Sequence, residues 1–255
     1  MDTKLKSKIL AAAAASCISF AGMAQADETV AIKAGFMMLK PTGEFTATLN
    51  NIGTRIDMEK DLNFSNSKQA TGEISVNLGD SLFTLGFVPM SFSGSGILNR
   101  TISFNGTAFN IGTTVQSEFK ADIIDLGYTY YIINMDDTPS RFQLGIETSL
   151  KTVIAKTSMT SLGQTASKNT TVPIPTLGVR ARVALADFIG LVGRVGYLGY
   201  SGNSFLDADA QVEFSPLPTL GIYAGYRHLN LKIDTAGVYA NTTFKGPYAG
   251  AFFRF

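Results

Sequence analysis

Polar and apolar residues alternate one by one along several stretches of the chain. Between Arg141 and Lys151, one parity reads Phe142, Leu144, Ile146, Thr148 and Leu150, and the other reads Arg141, Gln143, Gly145, Glu147, Ser149 and Lys151. The split recurs in Leu206 to Phe214, where Asp207, Asp209, Gln211 and Glu213 share a face, and around Leu177 to Val183, where Arg180 and Arg182 do. Glu73 to Leu78 is a shorter instance. A period of two belongs to a β-strand with one apolar and one polar face.

Turn chemistry separates these stretches at Gly79-Asp80-Ser81, Asn134 to Ser140, Ala186-Asp187 and Ser215-Pro216-Leu217-Pro218. Between them lie polar connections at 46–69, 93–112, 158–171 and 234–239, and the short Ser201-Gly202-Asn203. The pattern predicts an all-β chain of about ten strands, centred near 30–40, 70–78, 82–92, 118–132, 141–154, 175–185, 188–200, 205–214, 219–232 and 243–255. Eight strands follow instead if the glycine-rich stretch near 82–96 is irregular. Segment 46–69 is open to three readings: an external loop, a strand extension or a piece folded inside.

A soluble sandwich alternates as well, so further observations must separate it from a membrane barrel. Lys4, Lys6 and Lys8 precede an apolar, alanine-rich stretch and then Ala24-Gln25-Ala26, the form of a secretory signal peptide with its cleavage site. Residues 1–26 are therefore expected to be removed, leaving 27–255 as one barrel domain. The single cysteine, Cys17, falls in the removed part, so the remainder has neither disulfide nor thiolate metal site. Of 21 basic and 20 acidic residues, three lysines and one aspartate fall there too, leaving 18 and 19. So even a balance gives no sign of a nucleic-acid partner. Mean hydropathy is positive, yet no apolar run is long enough to span a bilayer as a helix. Strands of about 9 to 11 tilted residues cross instead, joined by short turns on one side and longer loops on the other.

Two stretches carry a resemblance. Ala224-Gly225-Tyr226-Arg227-His228-Leu229-Asn230-Leu231 with Lys245-Gly246-Pro247-Tyr248-Ala249-Gly250 resembles the last hairpin of exported barrels, and the chain stops at Phe255 with Phe253, Ala251 and Ala249 on the same parity. In plan the chain is similar to small Gram-negative outer-membrane β-barrel proteins, of the type of the OmpA transmembrane domain and OmpW-like barrels. The resemblance implies a closed antiparallel transmembrane barrel in the outer membrane, surrounded by lipid and lipopolysaccharide. It also implies that Phe253 and Phe255 form the signal read by the barrel assembly machinery.

Closure leaves no strand edge in hydrocarbon. If the apolar parity faces lipid, then Arg141, Glu147, Lys151, Arg180, Arg182, Arg194, Asp207, Asp209, Glu213, Arg227 and Arg254 point into the lumen as a polar network. Two functions fit: an ion-pair network filling a narrow structural or surface barrel, or a passive, porin-like path for small solutes. Barrels of this size are usually filled, whereas those of about 16 strands hold open channels. Tyrosines 128, 130, 131, 197, 200, 223 and 226 are candidates for aromatic girdles at the membrane interfaces.

The alternative is a membrane-embedded lipid hydrolase using His228, the only histidine. Its strand neighbours two residues away are Tyr226 and Asn230, so neither a carboxylate nor a serine stands where such chemistry needs it. The chain is expected not to be an enzyme. No metal or cofactor motif is present, and Asp207 with Asp209 lacks a matched third ligand.

Overall fold

A computed structural model describes residues 28–47, 53–135, 141–217, 219–235 and 238–255. The expected signal peptide and its cleavage site lie outside the described residues, as does Asp27. The strands are β1 (Glu28–Ala47), β2 (Ile56–Asp57), β3 (Ser67–Leu78), β4 (Ser81–Ile97), β5 (Ile102–Phe104), β6 (Thr107–Phe109), β7 (Thr114–Asn134), β8 (Phe142–Ser161), β9 (Gln164–Ala186), β10 (Ile189–Tyr200), β11 (Asn203–Phe214), β12 (Leu220–Thr235) and β13 (Val238–Arg254). Ten of them, β1, β3, β4 and β7 to β13, pair in antiparallel sequence, and β13 returns to pair with β1. The sheet is a closed barrel. Its seam runs from Ala31↔Arg254 to Ala47↔Val238, and the Val30 and Phe255 amides each donate to the other's carbonyl at 2.9 and 3.0 Å.

Each expected strand coincides with an observed one, and the stretch near 82–96 is regular within β4, so the count is ten and not eight. Both described barrel ends lie on the side of the tight turns at 79–80 and 187–188. The expected long loop at 158–171 is instead a hairpin: β8 and β9 stay in register to Ser161↔Gln164, with only Leu162 and Gly163 between. Likewise β12 and β13 pair to Thr235↔Val238 across the expected loop at 234–239. Polarity there reports contact with water, while the threonines at 157, 160, 165, 170 and 171 retain a strand preference.

Segment 93–112 ends β4 and then forms the β5–β6 hairpin over the outer mouth. Asn105 and Gly106, with φ of 47° and 82°, make its turn, the left-handed pair that a two-residue hairpin requires. Segment 46–69 resolves into a piece of wall over its described part. β3 pairs with β4 only between Gly72↔Phe87 and Leu78↔Ser81, while β4 continues along β7 to Ile97↔Thr114. Residues 56–66 take the vacant place: Asp57 pairs with Glu44 of β1, and the Ser65 amide donates to the Ser93 carbonyl of β4 at 3.0 Å. The approach is close enough that a Cβ on Gly94 would overlap the carbonyl oxygens of Leu62 and Asn63. Met58 and Leu62 point inward and are buried.

The outer surface is apolar where the strands cross. Phe36, Phe83, Leu85, Leu126, Ile146, Leu177, Val179, Ile222 and Phe253 are all exposed. A patch of that extent marks contact with lipid or protein, not water. Tyr128 and Tyr130 lie toward the short-turn end of β7, and Tyr197 and Tyr200 toward the opposite end of β10, all exposed as girdle residues are. Tyr131 and Tyr223 depart from that expectation. Both are buried on the inward parity, where their phenol tips meet a polar lumen that a lipid-facing reading of tyrosine overlooks.

Candidate functional site: the barrel lumen

The lumen changes character halfway along its length. On β8 the inward side chains run Gln143, Glu147 and Lys151, then Val153 and Ala155; on β12 they run Tyr223 and Arg227, then Leu229, Leu231 and Ile233. β11 changes between Asp207 and Phe205. Charges therefore fill the half next to the short turns, and apolar side chains fill the outer half.

In the charged half, ion pairs join adjacent strands and also strands that are not neighbours. Lys151 of β8 contacts Asp125 of β7 and reaches Asp207 of β11 at 3.0 Å. Arg227 of β12 grips the same Asp207 with both ends of its guanidinium, Nε to Oδ1 at 2.9 Å and Nη2 to Oδ2 at 2.7 Å. Arg194 of β10 lies 3.5 Å from Asp125 and 3.9 Å from Glu147. Arg180 lies 3.5 Å from Glu147, whose second proton donor is the Thr129 hydroxyl at 3.2 Å. The Lys151 and Asp207 side chains are each 2% exposed, so these charges have exchanged water for one another. A buried charge is tolerated only when paired and hydrogen-bonded.

A second cluster gathers on Glu213. Lys33 of β1 reaches it at 2.9 Å, Arg254 of β13 at 2.6 Å and Arg182 of β9 at 3.3 Å. Gln211 also donates to it at 2.8 Å. Arg254 lies over the Phe252 ring as well, 4.4 Å from its centroid. Asp209 stands in register directly between Arg194 and Arg227. The structure thus brings together Glu147, Lys151, Arg180, Arg182, Arg194, Asp207, Asp209, Glu213, Arg227 and Arg254. Arg141 stands apart: it precedes β8 at the turn side and pairs at 3.5 Å with the exposed Asp187. The alternation that selected it runs one residue past the strand's start.

Sequence reasoning missed Lys33, Glu73 and Asp125. Glu73 sat on the polar face of a stretch already recognised as alternating. Lys33 and Asp125 were hidden because their own parity is otherwise apolar: Met37 and Leu39 accompany Lys33, and Ala121 and Ile123 accompany Asp125. A lone charge inside such a run is the available signal. Alternation alone does not reveal the apolar outer half, because the inward parity of these strands changes from polar to apolar partway along.

In that outer half, Phe244 of β13 stacks on Phe92 of β4 and Phe119 of β7, with centroids 5.4 and 5.8 Å apart. These rings meet across the lumen. Above them Ile56, Leu62, Leu98, Ile102, Phe104 and Phe109 form a second buried cluster beneath the β5–β6 hairpin.

His228 faces outward, with Tyr226 and Asn230 on its strand and Ala208 and Lys245 as its cross-strand neighbours. Lys245 in turn is in register with Lys40 of β1, and both lysines are exposed. Among the described residues no group of three histidine, cysteine or carboxylate side chains is placed to hold a metal ion.

A closed, lipid-faced antiparallel barrel of ten strands is the fold of a small outer-membrane β-barrel protein. No protein-family model matches the chain, and no curated protein matches it in sequence. Solved structures do match in fold. The outer-membrane protease OmpT from Escherichia coli is similar at a TM-score of 0.60 and 10% identity, over 91% of this chain and 99% of that one. Ail, the attachment invasion locus protein of Yersinia pestis, is similar at a TM-score of 0.44 and 13% identity, over 90% of this chain and 100% of that one.

Proposed function

We propose that this is an outer-membrane barrel with a sealed lumen, serving a structural or surface role and not the passage of ions. The observation that carries the reading is the ion-paired cross-section, in which Lys151 to Asp207 and Lys33 to Glu213 join strands from separate parts of the wall. An ion entering there would have to displace charges already paired at hydrogen-bonding distance and shielded from water. That is a large cost in a medium of low dielectric. Protein refolded into planar bilayers is expected to show no steady ionic conductance. A stable open-channel current from the wild-type chain would overturn the reading.

The hydrolase alternative finds little support at His228, whose cross-strand neighbours are Ala208 and Lys245, neither a carboxylate to orient the imidazole nor a hydroxyl nucleophile for it to activate. Lys40 and Lys245 stand above the apolar positions Ala249, Ala251 and Phe253 of β13, about ten residues from the strand's end. That height suits lipopolysaccharide phosphates, the partner proposed for this rim. Phe253 and Phe255 remain the proposed contact with the assembly machinery.

A further inference from the structure

The apolar half of the lumen is not completely filled. It encloses a cavity of about 260 Å³ bordered by Met90, Phe119, Val153, Ile174, Leu229 and Leu231, among others. The ion network closes it below, two residues beneath Val153 on β8 and Leu229 on β12. Phe104 of the β5–β6 hairpin borders it above, and the hairpin's Asn105 donates to the Ser167 carbonyl of β9 at 2.9 Å. Empty apolar space costs stability, and water needs two to four polar partners, which these predominantly apolar walls supply only through Thr46, Thr157, Lys168, Thr170, Tyr239 and Thr242. The walls suit a ligand as apolar as themselves. An apolar cavity of roughly 150 Å³ already admits benzene, so this one has room for more than a single ring.

One side of this cavity lacks a complete wall. The β9–β10 pairing ends at Tyr197↔Leu177, whereas β9 continues along β8 to Gln164. Residues 164–176 of β9 therefore present a free edge, of which 164–170 project into water and 171–176 lie level with the exposed Leu150 and Ile154 of β8. The comparable gap beside β4 is covered by residues 56–66, but among the described residues no segment pairs with this edge. It contains Pro173 and Pro175. Proline is confined to edge positions in sheets because it has no N–H to donate, and an unpaired donor bordering hydrocarbon is costly. The residues facing lipid along this edge are Pro173, Pro175 and Leu177, followed by Tyr197 on β10. Lys168 and Thr170 lie on the inward parity and border the cavity, yet both are exposed. The wall is open beside them.

We infer that the cavity binds an uncharged hydrocarbon group, an aromatic ring or a medium-length alkyl chain, which enters sideways from the outer leaflet past the free edge of β9. Ion conduction is not required, because the path lies wholly above the charged cross-section. The group can belong to a free small molecule or to a lipid acyl chain, and both present the same surface to the walls.

The chain contains no tryptophan, so Leu231→Trp supplies a single fluorescent reporter bordering the cavity. The reporter protein is refolded into bilayers of ordinary phospholipid with added 1-bromonaphthalene, and separately into bilayers whose acyl chains are brominated. Ala155→Phe, added to fill the cavity, is checked for folding by heat-modifiable migration, with Ala155→Leu in reserve. Saturable quenching by bromonaphthalene, at least about tenfold weaker in the filled variant, identifies a free hydrocarbon as ligand. Quenching by brominated chains that the filled variant loses identifies a lipid chain. Absence of quenching in both arms, or equal quenching with the cavity open and filled, overturns the inference.

Discussion

The two halves of the lumen are built by the same strands on the same parity, yet they are stabilised in opposite ways. Next to the short turns, charged and amide side chains are held at defined distances, with Tyr131, Val192, Tyr223 and Phe252 packed among them. In the outer half, the inward positions are rings and aliphatic chains that pack without directional bonds and leave a cavity. The charged half demands one arrangement, since a shift of strand register would leave Asp207 facing neither Lys151 nor Arg227. The apolar half tolerates displacement, which is what a site for a non-directional ligand requires.

That contrast can be broken experimentally, and the largest effect is expected at Asp207. Replacing it by alanine leaves Lys151 and Arg227 buried without their shared carboxylate, a loss of about 3–5 kcal/mol in urea unfolding followed by the heat-modifiable band. A loss below about 1 kcal/mol would mean that water reaches this cluster and that the lumen is not sealed. Phe244→Ala should cost somewhat less, about 3 kcal/mol, because the gap it leaves between Phe92 and Phe119 merges with an existing cavity. A change in bilayer conductance in this variant would show that the rings, and not the ion pairs, form the seal. Arg141→Gln sharpens the comparison from the other end. Its pair with Asp187 is exposed at the turn, so unfolding is expected to be unchanged within error, as for most surface ion pairs.

Strand number, closure and direction were legible because a period of two is imposed by the backbone itself, and lipid on one side makes the apolar parity nearly continuous. The charged partners on β8 to β13 were legible for the same reason: Glu147, Arg180 and Asp207 each sit opposite a clean apolar face. What escaped was information held between strands. Nothing in Ala31 to Leu39 says that Lys33 will meet Glu213, since that contact exists only after closure. The apolar cavity escaped because Phe119, Leu229 and Phe244 alternate with outward Glu118, Lys120, Asp122, His228, Asn230, Lys232 and Lys245, so the apolar parity there faces the lumen and the polar parity faces out, the reverse of the arrangement at membrane height. The stretches 158–171 and 234–239 look like loops in the sequence because they are polar, yet a strand projecting into water needs no apolar face.

The seam between β1 and β13 has a kinetic consequence. Most neighbouring strands in the barrel are joined through a turn or a short connection, so their pairings are local and can form one after another. The seam joins the strands most distant in sequence and carries the loop-closure entropy of the whole barrel in one step. Until that step occurs, the sheet has two open edges able to pair with other chains. Folding should therefore be limited by a late zipping event, and a catalyst that holds β13 in place until β1 arrives would accelerate it without touching any contact in the lumen.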